Sequence, residues 1–113
     1  MYEVKKRFEI SASHRLELDY ESKCKSLHGH NWVIEVVCKS CSLNNNGMVF
    51  DFTHIKRAIH DRLDHGNLNE ILPCNPTAEN IAKWIADEIG FSCVQVSVQE
   101  REGTIAIWRS DDY

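Results

Sequence analysis

Tyr2, Val4, Phe8, Ile10 and Ala12 fall on alternate positions, with Glu3, Lys5, Arg7, Glu9 and Ser11 between them. A period of two marks a half-buried strand, and His14 continues its apolar face. A second run, His28, His30, Trp32, Ile34 and Val36, keeps the same parity. Residues two apart on a strand point to one side, about 7 Å from each other along the chain. Pairing the two runs as an antiparallel hairpin sets the end of the first beside the start of the second. The three imidazoles then converge at one rim.

The stretch from about Leu16 to Leu27 is long for a hairpin connection, and loops of such length are often functional. At the other end of the second run, Ser42, Asn44, Asn45, Asn46 and Gly47 form a cluster of turn formers. A first helix is predicted over Thr53 to Asp64, where Ile55, Ala58, Ile59 and Leu63 fall at helical spacing. Asp51 or Thr53 can cap its start and Gly66 suits its exit. A second helix follows Asn75-Pro76-Thr77, with Ala78, Ile81, Ala82, Ile85 and Ile89 as one apolar stripe and Gly90-Phe91 closing it. The chain then predicts a hairpin: Val94, Val96 and Val98 alternate with polar residues, a turn falls around Arg101 to Gly103, and Ile105 to Trp108 returns. Strand, strand, helix, helix, strand, strand is an α+β order, with two helices covering one face of an antiparallel sheet.

A chain of 113 residues suits a single domain, residues 1–113, since domains commonly run about 100–150 residues. The 42% hydrophobic and 27% charged fractions are those of a soluble globular protein. A net charge of −4 and a pI near 5.8 give no reason to expect nucleic acid or an anionic membrane as partner. Glu3, Lys5, Lys6, Arg7 and Glu9 leave no apolar signal core, and no apolar run approaches the roughly 18 residues of a membrane span. Cytoplasm is the expectation. Cys24, Cys38, Cys41, Cys74 and Cys93 are an odd, scattered set, which argues against a paired disulfide framework and fits a reducing compartment.

Three neutral nitrogen ligands with a fourth position open are what a catalytic zinc needs, so His14, His28 and His30 are the candidate metal ligands. His54 and His60 have no partner at ligand spacing and read as surface residues. Cys24 lies four residues before His28, in the loop that must cross the same rim. It is either a thiolate base or nucleophile or an inert loop cysteine. Asp64-His65 is either an acid–base dyad, with His65 turned by the break before Gly66, or a helix-end ion pair. Glu100 continues the face of Val94, Val96 and Val98. Its carboxylate either reaches solvent or meets a paired donor such as the amino and ring N–H edge of a guanine or pterin. Cys38-Lys39-Ser40-Cys41 lacks a second CxxC or a helix at its second cysteine, and reads as structural.

In FEISASH ending at His14, CKSLHGHN from Cys24, GMVFDF from Gly47, LDH from Leu63, NPTAEN from Asn75 and the strand-end Glu100, the sequence resembles the 6-pyruvoyl-tetrahydropterin synthase family. The resemblance runs from Phe8 to about Trp108. The three residues between Cys24 and His28 are similar to the 6-carboxytetrahydropterin synthase branch of queuosine and deazapurine biosynthesis. It implies the tunnelling fold (T-fold) and one zinc per chain on His14, His28 and His30. It further implies Cys24 as base on one side of the substrate and His65, oriented by Asp64, on the other. Glu100 would anchor the pterin ring, and Thr77 would help seat it. The implied reaction is a lyase conversion of 7,8-dihydroneopterin triphosphate to the 6-carboxy product, with loss of triphosphate and acetaldehyde. Same-fold alternatives are a pyruvoyl-forming or aldolase-like enzyme, or a non-catalytic zinc-binding module. Arg15, Lys23 and Lys25 are either triphosphate contacts or a solvated loop. Arg101 departs from the small hydroxyl residue common after the glutamate. The resemblance also implies a homo-oligomer, a hexamer built as a dimer of trimers, with sites at subunit interfaces.

Overall fold

A computed structural model describes residues 1–111. Strands β1 (Tyr2–His14), β2 (His28–Ser40), β3 (Cys93–Arg101) and β4 (Thr104–Arg109) form one sheet in sequence order, every neighbour antiparallel. The β1–β2 ladder runs unbroken from Tyr2 opposite Ser40 to His14 opposite His28. The expected antiparallel pairing is therefore formed, with the end of β1 beside the start of β2. Even-numbered residues supply the buried face: Ile10, Ala12, Trp32, Ile34, Val36, Val96 and Val98.

Two irregularities interrupt the other ladders. Between Val37 and Cys38 the β2–β3 register shifts, and both residues are buried as a result. Between Gln99 and Arg101 the β3–β4 register shifts, so Glu100 is the extra residue of a bulge. Bulges re-aim side chains and are frequent beside active sites.

The predicted first helix is three pieces in succession: α1 (Phe52–Ile55), a π turn (Lys56–His60) and α2 (Asp61–Leu63). Ile55, Ile59 and Leu63 are its buried residues, each four apart. Steps of four overshoot an α-helical turn, and the wider π turn takes up the excess, keeping the three in line. Asp51 caps the start, accepting from the Thr53 amide at 2.9 Å. At the exit it is His65, not Gly66, that adopts the left-handed conformation, with φ 59°. Gly66 is needed for a different reason: a Cβ there would stand 2.8 Å from Ile71 Cδ1 and 3.0 Å from the Leu63 carbonyl.

A short helix absent from the sequence expectation, α3 (Leu68–Ile71), follows under an Asn67 cap. Helix α4 (Ala78–Ile89) has the predicted bounds, with Thr77 Oγ1 accepting from the Asn80 amide at 3.1 Å and Gly90 closing it. It packs across β3 and β4, while the π turn, α2 and α3 lie over β1. All helices thus lie on the Trp32 face. Among the described residues, no helix is long and apolar enough to cross a membrane.

Candidate metal centre and active site

His14 and His28 are directly opposed at the open end of the β1–β2 ladder, and His30 follows two residues on. Ring centroids are 4.6 Å apart for His14 and His28, 4.9 Å for His28 and His30, and 5.3 Å for His14 and His30. Trp32 is the floor: fully buried, it donates through Nε1 to the Ala12 carbonyl at 3.1 Å and meets His14 and His30 edge-on.

Two of the rings have their tautomer fixed. His14 Nδ1 lies 2.8 Å from the Pro76 carbonyl, and His28 Nδ1 lies 2.7 Å from the Ser26 carbonyl. A carbonyl only accepts, so each Nδ1 carries the proton and each Nε2 presents a bare lone pair. The Nε2 atoms of His14 and His30 are buried without a hydrogen-bond partner. Glu100 Oε1 is 2.9 Å from His30 Nε2 and 3.4 Å from His14 Nε2. One ligand atom each from His14, His28, His30 and Glu100 lies within 4.8 Å of all the others. Unsatisfied buried nitrogens converging on a common point, rather than bonding to one another, suit a divalent ion. Burial holds the His30 imidazolium below its ordinary range, aided by His14, His28 and Arg101 and opposed by Glu100. That favours the neutral, ligating form. No second such cluster occurs among the described residues.

Cys24 sits in a 3-10 turn, Lys23–Lys25, capped by the Ser22 hydroxyl. Together with Lys23, His28, His30, Glu100 and Arg101 it lines a cavity of about 300 Å³. The loop is tied down by two asparagines that sequence reasoning passed over. Asn69 bonds the Arg15 amide and carbonyl, and Asn75 bonds those of Glu17, each side-chain amide acting like a strand partner. Of the three cations suggested for a phosphate, Arg15 pairs with Glu17 and Lys25 with Glu21. Lys23 is the one that lines the cavity.

Asp64 and His65 run along the free edge of β1. The Ser11 amide donates to Asp64 Oδ1 at 2.9 Å, the His65 amide to the Ser11 carbonyl at 2.7 Å, and the Ser13 amide to the Gly66 carbonyl at 3.0 Å. Asp64 Oδ2 lies 3.5 Å from His65 Nε2, so the left-handed turn does bring these adjacent side chains together. The same oxygen is 3.8 Å from His60 Nε2, and His60 also pairs with Asp61 and packs edge-on to Phe8. His60 is therefore a half-buried member of this cluster, not the free surface residue expected. The Ser11 N–H holds the Asp64 carboxyl below its ordinary range, with help from His65 and His60 and against burial.

His65 is 84% exposed and lines a second cavity of about 420 Å³ with Ser11, Ser13, Gly29, His30 and Asn31. One chain thus places Cys24 and His65 in separate cavities that share His30. Thr77 lines neither; its neighbour Pro76 is what meets His14. Cys38 and Cys93 are buried cross-strand neighbours, the Cys93 thiol donating to the Gln95 carbonyl, and Cys41 is exposed. That agrees with a structural reading of the CxxC stretch.

Comparison with known proteins agrees with this architecture. A protein of Caenorhabditis elegans described as 6-pyruvoyl tetrahydropterin synthase superposes with a TM-score of 0.75 at 23% identity, covering 97% of this chain and 96% of the other. The 6-carboxy-5,6,7,8-tetrahydropterin synthase of Bacillus subtilis is 27% identical over 96% of this chain and 85% of its own length. A Pyrococcus horikoshii protein described as a putative enzyme of the same name is 51% identical over 57 residues, half of this chain and 35% of that protein. The dihydroneopterin monophosphate aldolase of Pyrococcus furiosus is 37% identical over 74% of this chain and 70% of that one. The family model for 6-pyruvoyl tetrahydropterin synthase matches residues 3–111, and the chain belongs to that family.

Proposed function

We propose that this chain is a zinc-dependent lyase that converts 7,8-dihydroneopterin triphosphate and water to 6-carboxytetrahydropterin, triphosphate and acetaldehyde, in queuosine and 7-deazapurine biosynthesis. The observation that carries the reading is the set of bare, unsatisfied imidazole nitrogens beside a cavity that Cys24 lines. The Bacillus subtilis relative's name supports the product.

His14, His28 and His30 would hold one zinc, which would supply Lewis acidity for easing proton removal and stabilising enolate-like charge. Cys24, at the cavity wall, takes the side-chain proton. Glu100 offers two carboxylate oxygens to the amino and N–H edge of the ring, and Thr77 seats the segment around it. His65, held by Asp64, supplies a proton of its own on the other side. Lys23 and Arg101 flank the same cavity and neutralise the phosphates.

Since one chain leaves Cys24 and His65 in different cavities, the complete site draws its dyad from a second copy. This supports a homo-oligomer with sites at subunit interfaces; a hexamer made from trimers is what the resemblance to the family implies. The unpaired cysteines support a cytoplasmic location.

The test is to incubate zinc-loaded protein with 7,8-dihydroneopterin triphosphate and identify products by mass spectrometry. A 6-carboxy pterin and acetaldehyde are expected. The name of the Pyrococcus furiosus relative favours aldolase chemistry as the second reading, which a 6-hydroxymethyl pterin would establish instead.

A further inference from the structure

We propose that Asn69 and Asn75 are positioning residues for Cys24: together they stand in for a missing strand and hold the thiol-bearing loop in place. This deepens the lyase reading and rests on the part that reading gives to Cys24.

The backbone bonds along the free edge of β1 carry the inference. In an extended chain the N–H and C=O of one residue point to the same edge, and those of the next residue to the opposite edge. The odd-numbered residues of β1 face the segment that follows α2. There the Ser11 amide and carbonyl bond to Asp64 and His65, and the Ser13 amide bonds to Gly66. Strand β1 ends at His14, yet the alternation goes on. The Arg15 N–H donates to Asn69 Oδ1 at 2.7 Å, and the Arg15 carbonyl accepts from Asn69 Nδ2 at 2.8 Å. Glu17 makes the same pair of bonds with Asn75, both at 2.9 Å. A carboxamide carries an acceptor and a donor side by side, so each asparagine reproduces the two bonds that a strand residue would exchange.

Leu16 lies between the two clamped residues and so presents its backbone to the other edge. Its N–H donates to the Cys24 carbonyl at 2.8 Å, while the Cys24 N–H donates to the Ser22 hydroxyl at 3.1 Å. Cys24 is thus held through Leu16, and Leu16 through the asparagines gripping its neighbours. The jaws are themselves anchored. The Asn69 amide, in α3, donates to Asn67 Oδ1 at 3.0 Å. The Asn75 carbonyl accepts from the Thr77 amide at 2.8 Å and from Asn80 Nδ2 at 2.9 Å, at the start of α4. One segment, from Asp64 to Asn75, therefore registers both the Asp64-His65 pair and the cysteine loop against a single strand. Neither asparagine lines the cavity of Cys24 or belongs to the candidate ligand group, so their effect on chemistry runs through the placement of Cys24. A reacting group displaced by about 1 Å can cost a hundredfold in rate.

Asn69→Ala tests this in zinc-loaded protein, beside the nearly isosteric Asn69→Asp, which keeps an acceptor but has no N–H for the Arg15 carbonyl. Steady-state consumption of 7,8-dihydroneopterin triphosphate should show kcat reduced about ten- to a hundredfold, with KM within about twofold of wild type. Zinc content should not change. Hydrogen–deuterium exchange followed by mass spectrometry should quicken in the peptide over Leu16–Leu27 and stay as in wild type over Trp32–Ser40. A general loss of stability would move neither kcat apart from KM nor one loop apart from the sheet. Unchanged kcat in both variants, or unchanged exchange in the loop, would overturn the proposal, as would parallel losses of kcat, zinc and thermal stability. Should the Asn69 variants not fold, Asn75→Asp carries the same expectations and the same overturning results. The two readings fail separately. Wild-type turnover with undiminished kcat in the variants sinks the positioning alone, and selective loosening of the loop in a protein that does not consume the substrate sinks the lyase alone.

Discussion

The imidazole of His14 donates from Nδ1 to the carbonyl of Pro76, 62 positions away in sequence, across 2.8 Å. That bond ties the last residue of β1 to the segment that starts α4, and it turns Nε2 toward His28 and His30. Removing the ring therefore has two effects. His14→Ala should abolish zinc retention and also cost about 2–4 kcal/mol of stability, as a fully buried, hydrogen-bonded side chain becomes a cavity. His28, partly exposed, should lose zinc to the same extent at a cost nearer 1 kcal/mol. Metal analysis and denaturant unfolding of metal-free protein check the pair; equal stability losses would contradict the placement.

Cys24 lines the cavity without belonging to the 4.8 Å ligand group. Cys24→Ala should therefore remove turnover while zinc stays near one ion per chain. Loss of zinc in this variant, or full activity, would count against its assigned part.

The left-handed backbone at His65, φ 59°, is one that glycine adopts more easily. His65→Gly should leave the protein as stable as wild type or up to about 1 kcal/mol more stable, while product formation falls steeply. Thermal unfolding and turnover measured on one preparation should move independently. Parallel losses would mean that the ring is structural.

Gly66→Ala should destabilise by about 1–3 kcal/mol. The new methyl would press on Ile71 Cδ1 and, at 3.0 Å, on a backbone carbonyl that has little room to give. Gly103→Ala is the comparison: its φ of 84° strains any side chain, but nothing lies within 4 Å. Urea unfolding of both variants separates steric pressure from backbone strain.

Asp64 has a folded pKa held below the ordinary 3.8, first by the Ser11 N–H. A lowered carboxyl pKa stabilises the fold fully above the unfolded value, and the contribution fades as pH falls through the folded one. Asp64→Asn should thus weaken the protein at pH 7, with the gap to wild type narrowing as acid takes the folded carboxyl through its lowered pKa. Unfolding midpoints from pH 7 down through the acid range decide it. A gap that persists unchanged in acid would show that the carboxylate charge is not what matters.

Strand parity alone placed His14, His28 and His30 on one face and at one rim, because a period of two fixes sides and the hairpin fixes ends. It also placed Glu100 with the valines of β3, though not its bulge. What sequence reading missed depends on contacts between distant segments: the Pro76 carbonyl on His14, the asparagine clamps of Asn69 and Asn75 on the Cys24 loop, and His60 beside Asp64. Such contacts leave no local period. The π turn was hidden for a related reason. Ile55, Ile59 and Leu63 read as ordinary helical spacing, and only packing against the sheet shows that the turn must widen to keep them aligned.

The uninterrupted pairing of Tyr2 with Ser40 through to His14 with His28 gives the molecule two poles, about 40 Å apart along thirteen residues of strand. The far pole, the connection that begins at the exposed Cys41, can change in length or carry a tether without disturbing the histidines. A one-residue slip anywhere in the ladder has the opposite reach: it would put His14 on the other side of the sheet from His28 and His30 at a stroke.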